Sequence, residues 1–196
     1  MKQSPKLPAE KRRAQLIRAA GKVFALRGYV GATTEDISRL AGVTKGALYF
    51  HFKSKEDIFL EVLKERTDGY LKKIIHCLET ETNVEKMIEY IIRVNFEMTE
   101  KQRHFAFEFW QQAINVPKVT KFVGRMHREV IERLARFIEK NSRLKHEDAL
   151  NMVWLLHALG DGVLIQKYCY YEKVNPKNII DQIVEMSKLY LKEKKR

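Results

Sequence analysis

Several features are scarce in this chain of 196 residues, and each scarcity narrows what the protein can be. No uninterrupted apolar run reaches the roughly 18 residues that a membrane-spanning helix needs, and no secretory leader opens the sequence, so a cytoplasmic protein without a membrane partner is expected. Only two cysteines occur, Cys77 and Cys169, and they lack the spacing of metal ligands. Both are expected to be reduced, buried small hydrophobes. Strand-like alternation is confined to one segment, F-A-F-E-F at residues 105–109, and with nothing to pair with it an all-α chain is expected. Catalytic signatures are also missing: there is no glycine-rich nucleotide loop, no nucleophile elbow and no H-E-x-x-H, so neither a cofactor nor a resident metal is expected.

Acidic residues are scarce in one place. Residues 1–55 carry 12 Lys+Arg against 3 Asp+Glu, a net of +9, whereas the remainder carries 25 against 22, a net of +3. A cationic surplus concentrated in one segment suits a polyanion partner, because released counterions drive much of the affinity. A membrane-surface helix would instead spread its charge along one long amphipathic face. Here the surplus surrounds a compact, glycine-punctuated motif, which favours DNA.

That motif is T-T-E-D-I-S-R-L-A-G-V-T-K-G-A-L-Y-F-H-F-K-S-K, Thr33 to Lys55. Thr34 is placed to cap a first short helix, with Glu35 and Asp36 in the opening turn where the helix dipole favours negative charge. Ile37, Leu40 and Ala41 form its apolar face, Gly42 lets the chain leave it, and Val43 plugs the turn. Thr44 caps a second helix whose Ala47, Leu48 and Phe52 are expected to point inward. Two short helices about a tight glycine turn are the sequence form of a helix-turn-helix, whose second helix enters the major groove.

The run G-V-T-K-G-A-L-Y-F-H-F-K-S-K-E-D-I-F resembles the DNA-binding domain of the TetR family of bacterial transcriptional regulators, closely over about the first 60 residues. The resemblance implies roles. Lys45 and Gly46 approach base edges with Tyr49 close by, Ala47 meets a thymine methyl, and Thr34, Thr44, His51 and Lys55 hold phosphates. A side chain at Gly46 would keep the helix from the groove floor.

Along the chain, Met1–Leu7 reads as a polar arm, either disordered or touching the DNA backbone. A brace helix is expected from Pro8 to Arg27, stopped by Gly28, with Ile17, Val23 and Phe24 folded onto Ile37, Leu40 and Leu48. A long helix begins after Ser54 and runs from Lys55 to about Glu79. Thr82–Glu85 has capping-box spacing before an amphipathic helix to Met98. On a further helix at 104–113, Phe105, Ala106, Phe109, Trp110 and Ala113 share one face. Others run from Pro117 to Asn141 and from His146 to Tyr171, and a last one follows the Asn175–Pro176 cap. The helix starting at His146 is apolar nearly all round and so needs cover on both sides.

Those expectations define an all-α protein: a three-helix helix-turn-helix head over residues 1–54, joined by a long helix to a helical effector-binding and dimerisation domain over residues 55–196. The resemblance implies that the last two helices pair with a second copy, although packing within one subunit is the alternative. For the second domain, Phe96, Phe105, Phe109, Trp110, Met126 and Trp154 are candidate pocket walls, with His127, His157 and Asp161 as the polar groups. As a metal or acid–base trio the last three have a blander rival, a hydrogen-bonded couple in a core stripe. The expected function is a dimeric repressor on a palindromic operator, released by a small lipophilic ligand. The alternative is an architectural or division-linked DNA-binding protein whose second domain meets a protein partner.

Overall fold

A computed structural model describes residues 7–96, 111–112, 114–169 and 175–194. Among these the elements are eight helices and no strand: α1 (Ala9–Gly31), α2 (Thr34–Leu40), α3 (Lys45–His51), α4 (Lys55–Thr80), α5 (Val84–Phe96), α6 (Pro117–Asn141), α7 (His146–Cys169) and α8 (Pro176–Glu193). The all-α expectation holds. No described helix is long and apolar enough to cross a membrane. The expected helix at 104–113 lies almost wholly outside the described residues.

Helix limits follow from local chemistry. Pro8 proves to be the cap of α1 rather than its first helical residue, with ψ near 147°, and its carbonyl accepts the Arg12 amide. Gly28 interrupts α1 at φ 66°, a left-handed conformation that glycine adopts without a side-chain clash, and one further turn follows it. Ser54 Oγ accepts the Asp57 amide to open α4, and Asn175 Oδ1 accepts the Lys177 amide to open α8. The start of α5 departs from expectation. Asn83, not Thr82, supplies the cap through the Lys86 amide, because the Glu81 carboxylate folds forward to take the amides of Thr82 and Asn83.

The chain divides into two compact units, one holding residues up to Gly69 with α6 as far as Gly124, the other holding Tyr70 through α5 and the chain from Arg125. The first unit is built around Leu16, Ala20, Phe24, Ile37, Leu48, Ile58, Phe59 and Leu63, none of them more than marginally exposed. Phe24, Tyr29 and Phe59 form a ring cluster with centroids 4.8–5.9 Å apart. Lys118, in the first turn of α6, closes on Asp57 of α4 at 2.9 Å. The second unit packs Met87, Ile88 and Ile92 of α5 with Ile131, Leu134 and Ile138 of α6, Ala149 and Val153 of α7, and Ile180, Ile183 and Val184 of α8.

Not every apolar residue of this second unit is inside. Trp154, Leu155 and Ile165 of α7 and Met186, Leu189 and Tyr190 of α8 are exposed in the single chain. The all-round apolar character of α7 thus resolves into one buried side and one bare side.

Candidate nucleic-acid interface

Local capping holds α2 and α3 at their turn. Thr33 caps α2: its hydroxyl accepts the Asp36 amide at 3.1 Å and donates to Asp36 Oδ2 at 2.7 Å. This corrects the assignment of the cap to Thr34, which is instead the first residue of the helix and only 8 % exposed. The change is one of register: Thr33 has the extended backbone that an N-cap needs, and its hydroxyl lies three residues before the amide it caps. Asp36 also takes Arg27 and Arg39, at 2.9 and 2.7 Å. The hydrogen bond from Thr33 first, and then the two arginines, hold its carboxyl below the usual carboxylate range.

The turn closes through the Val43 amide onto the Ser38 carbonyl, with Gly42 at φ 65°. Gln15 of α1 donates to the Ala41 carbonyl at 2.9 Å, tying the brace helix to the end of α2. Thr44 Oγ1 accepts the Ala47 amide and caps α3 as expected. Leu48 is the fully buried anchor of α3, and Phe52 is buried just beyond it. Leu40 departs from expectation at 52 % exposure. A seven-residue helix that presents Ile37 to the brace turns Leu40 toward its edge, whereas Ala41 remains covered.

The outer face of this unit carries Thr44, Lys45, Gly46 and Tyr49 in the open, with Ala47 and His51 half-buried. A Cβ built on Gly46 would meet nothing closer than Thr44 Oγ1 at 4.0 Å. Packing within the chain therefore does not demand glycine there, although glycine costs a helix up to about 1 kcal/mol relative to alanine. Lys45 is ion-paired with Glu35 of α2 and lies 5.9 Å from the Tyr49 ring. The hydroxyls of Thr34 and Tyr49 are 3.3 Å apart.

Lys55 is turned elsewhere. Its ammonium donates to the carbonyls of Tyr29 and Ala32, at 2.9 and 3.1 Å, and sits 4.5 Å over the Tyr29 ring. It thereby satisfies carbonyls left over where α1 ends. Burial, and then the Glu56 carboxylate, push the Tyr29 hydroxyl well above its ordinary pKa. Two exposed residues of this face were not anticipated: Glu35, and Phe50 at 82 % exposure on α3. Only Phe50 had a legible signal, an aromatic out of phase with the buried positions of its own helix.

The candidates for a ligand pocket are scattered. Phe105, Phe109 and Trp110 lie outside the described residues, as does the side chain of Phe96. The others share part of the second unit. His157 Nδ1 lies 3.2 Å from Asp161 Oδ2, the His127 and His157 rings are 4.8 Å apart, and the Trp154 ring is 6.4 Å from His157. Met126 and His127 are half-buried, whereas Trp154 is 49 % exposed. A cleft of about 310 Å³ lies elsewhere and is lined by residues such as Thr82, Glu85, Asn141 and Leu191, none of them a pocket candidate. It is open and mostly polar, so the His157–Asp161 couple is the more informative feature. Among the described residues, no three or more His, Cys, Asp or Glu side chains gather as a metal site.

His127 carries a testable consequence. Burial first, and then the charge of His157, lower its pKa from 6.5 to about 4, against an opposing pull from Asp161. The folded state therefore favours neutral imidazole. That contribution is complete above about pH 6.5 and is lost as the pH falls toward 4, with an upper bound of about 3 kcal/mol. Thermal unfolding followed from pH 7 to 4.5 should show a decline that His127→Gln flattens. Equal declines in the two proteins would assign the acid sensitivity to other groups.

Geometry and composition together define a class: an all-helical protein with a basic helix-turn-helix unit. Residues 16–62 match the family model described as bacterial regulatory proteins, tetR family. The matched segment runs from within α1 to the second turn of α4. It is 36 % identical over 95 residues to the transcriptional activator FasR of Mycolicibacterium smegmatis, covering 48 % of this chain and 43 % of that protein. With the transcriptional repressor KstR2 of the same organism it shares 35 % identity over 108 residues, 55 % of this chain and 52 % of KstR2. The aligned segment thus spans about half the length of these curated relatives. The solved structure of the fatty acid degradation regulator FadR from Bacillus halodurans aligns over 93 % of this chain and 96 % of its own, with a TM-score of 0.73 at 19 % identity, a likeness of fold.

Proposed function

We propose that this chain is a dimeric transcriptional repressor that reads a palindromic operator with α3 and is released by a small lipophilic ligand. The observation that carries the DNA reading is Gly46: an exposed helical position where nothing in the protein needs glycine, beside Lys45 and Tyr49 on a unit with a large cationic surplus. Close approach of backbone to a groove supplies the missing reason. In this reading Lys45 and Gly46 face base edges, Ala47 meets a thymine methyl, and Thr44 and His51 hold phosphates. Thr34 and Lys55 reach phosphates only by sharing groups already bonded within the unit. Cytoplasmic location follows from the same function, and His127, His157 and Asp161 have no catalytic role.

Support for a dimer comes from the bare faces of α7 and α8, whose exposed Trp154, Leu155, Met186 and Leu189 suit a second copy in a symmetric contact. The lipophilic ligand is supported by the aromatic content of the second domain and by the name of the fatty acid degradation regulator that shares the fold. In this reading the chain represses, as KstR2 does, whereas FasR is an activator. Both α4 and α6 belong partly to each unit, and α4, 26 residues and about 39 Å long, is the proposed route by which an occupied pocket would reposition a head.

The test selects a duplex from a random-sequence pool with the full chain and then titrates medium- and long-chain fatty acids, read by tryptophan fluorescence with and without saturating duplex. An effector acts only through its preference for the DNA-incompetent state. Its affinity should fall about 5- to 150-fold when DNA is bound, and by linkage the DNA affinity should fall by the same factor when the effector is bound. Identical affinities would remove the release mechanism and leave DNA binding standing. Binding that ignores both sequence and metabolites would favour the architectural reading.

A further inference from the structure

Two of the side chains assigned to DNA in the reading above, Lys45 and Thr34, meet at one residue that has no assigned role, Glu35. Its Oε1 accepts the Lys45 ammonium, and its Oε2 lies 3.2 Å from the donating Thr34 hydroxyl. With that hydrogen spent on Glu35, the remaining contact of 3.3 Å between Thr34 Oγ1 and Tyr49 has the tyrosine as donor. Lys45 closes the circuit by lying 5.9 Å from the Tyr49 ring. A carboxylate from α2 thus bonds Thr34 beside it and Lys45 across the turn, and Tyr49 joins them through the Thr34 hydroxyl. Its placement is unusual in charge: one of only three acids in the first 55 residues stands on the face that must meet a polyanion.

We propose that Glu35 is a positioning and specificity residue of the DNA-reading face, holding Lys45 and Tyr49 in place and cancelling the lysine's charge toward phosphates. The inference rests on the DNA-binding reading. A lysine is a flexible point charge that any backbone phosphate satisfies, so left alone it adds affinity without adding information. Paired with Glu35 it contributes almost no net charge to a non-specific complex. Its ammonium is then released where a base-edge acceptor competes with the carboxylate. Both groups are ionised at neutral pH: the Lys45 hydrogen bond holds the Glu35 carboxyl below its ordinary range, and the same bond raises the lysine.

The experiment compares wild type, Glu35→Gln, Lys45→Ala and the double variant on the pool-selected duplex and on a scrambled duplex of equal composition, across salt concentration. Glu35→Gln should bind scrambled DNA more tightly and steepen its log K against log salt slope by about 0.9 per head, roughly 2 for a dimer. The ratio of selected to scrambled affinity should drop at least about three-fold. In the Lys45→Ala background the same substitution should change neither slope nor ratio, because Glu35 acts through the lysine. An unchanged slope and ratio in Glu35→Gln would overturn the proposal. So would an effect of equal size in the Lys45→Ala background, which would mean that Glu35 acts through its own charge on the DNA and not through the lysine. Failure of the wild-type protein to enrich any sequence would instead remove the DNA-binding reading itself.

Discussion

Raising the salt from about 50 to 200 mM should weaken operator binding by about 10³- to 10⁵-fold, the largest effect expected of this protein. The first 55 residues carry a net charge of +9 around the helix-turn-helix. If each head neutralises about five phosphates, a dimer neutralises about ten, and log K should fall with log salt at a slope near −9. Internal pairing lowers that ceiling, because Lys55 is held by the carbonyls of Tyr29 and Ala32. If Lys55 does not reach a phosphate, about four contacts per head remain and the slope is near −7. Fluorescence anisotropy of a labelled duplex at several salt concentrations measures it directly. A slope shallower than about −3 would mean that α3 is not seated in a groove.

The span between those two slopes marks what the sequence could and could not supply. Helix limits were legible because they depend on neighbours: Ser54, Thr44 and Asn175 each cap a helix with a side chain two or three residues from the amide it bonds. The cores were legible for a related reason, since Leu16, Phe24, Ile37 and Leu48 lie on faces that the helical period defines. Long-range pairing left no such trace. Glu35 and Lys45 are ten residues apart, and Lys55 reaches back 26 residues to Tyr29, so neither partner could be read from spacing.

Small shifts of register account for other differences. Adjacent threonines at 33 and 34 offer the same hydroxyl, and only backbone conformation decides which one caps α2. On α7 the apolar period named the stripe but not what covers it, which is why Trp154 reads equally well as pocket wall or as dimer face. The proposed DNA-reading surface was thus largely visible in the residues themselves, whereas the proposed ligand site had only a composition to mark it.

Phe59→Ala should cost about 3–5 kcal/mol and abolish operator binding, whereas Leu40→Ala should change stability by no more than about 0.5 kcal/mol. Phe59 is fully buried, with its ring 5.2 Å from Phe24 and 4.8 Å from Tyr29, so it joins the start of α4 to the end of the brace helix. Truncation removes the transfer energy of the ring and leaves a cavity among groups fixed by their own helices. A small helical unit has only a few kcal/mol to lose, so a deficit of that size leaves the heads largely unfolded at equilibrium. Leu40 offers the control, an apolar residue of the same unit that the helical period would place inside and the structure leaves half exposed. Urea unfolding by far-ultraviolet dichroism, with anisotropy on the selected duplex, gives both readouts. The second unit should keep its own transition in Phe59→Ala, because Met87, Ile131, Ile138 and Ile183 form a separate core. Comparable losses from the two substitutions would mean that Leu40 is a core residue after all and that the packing of α2 described here is wrong.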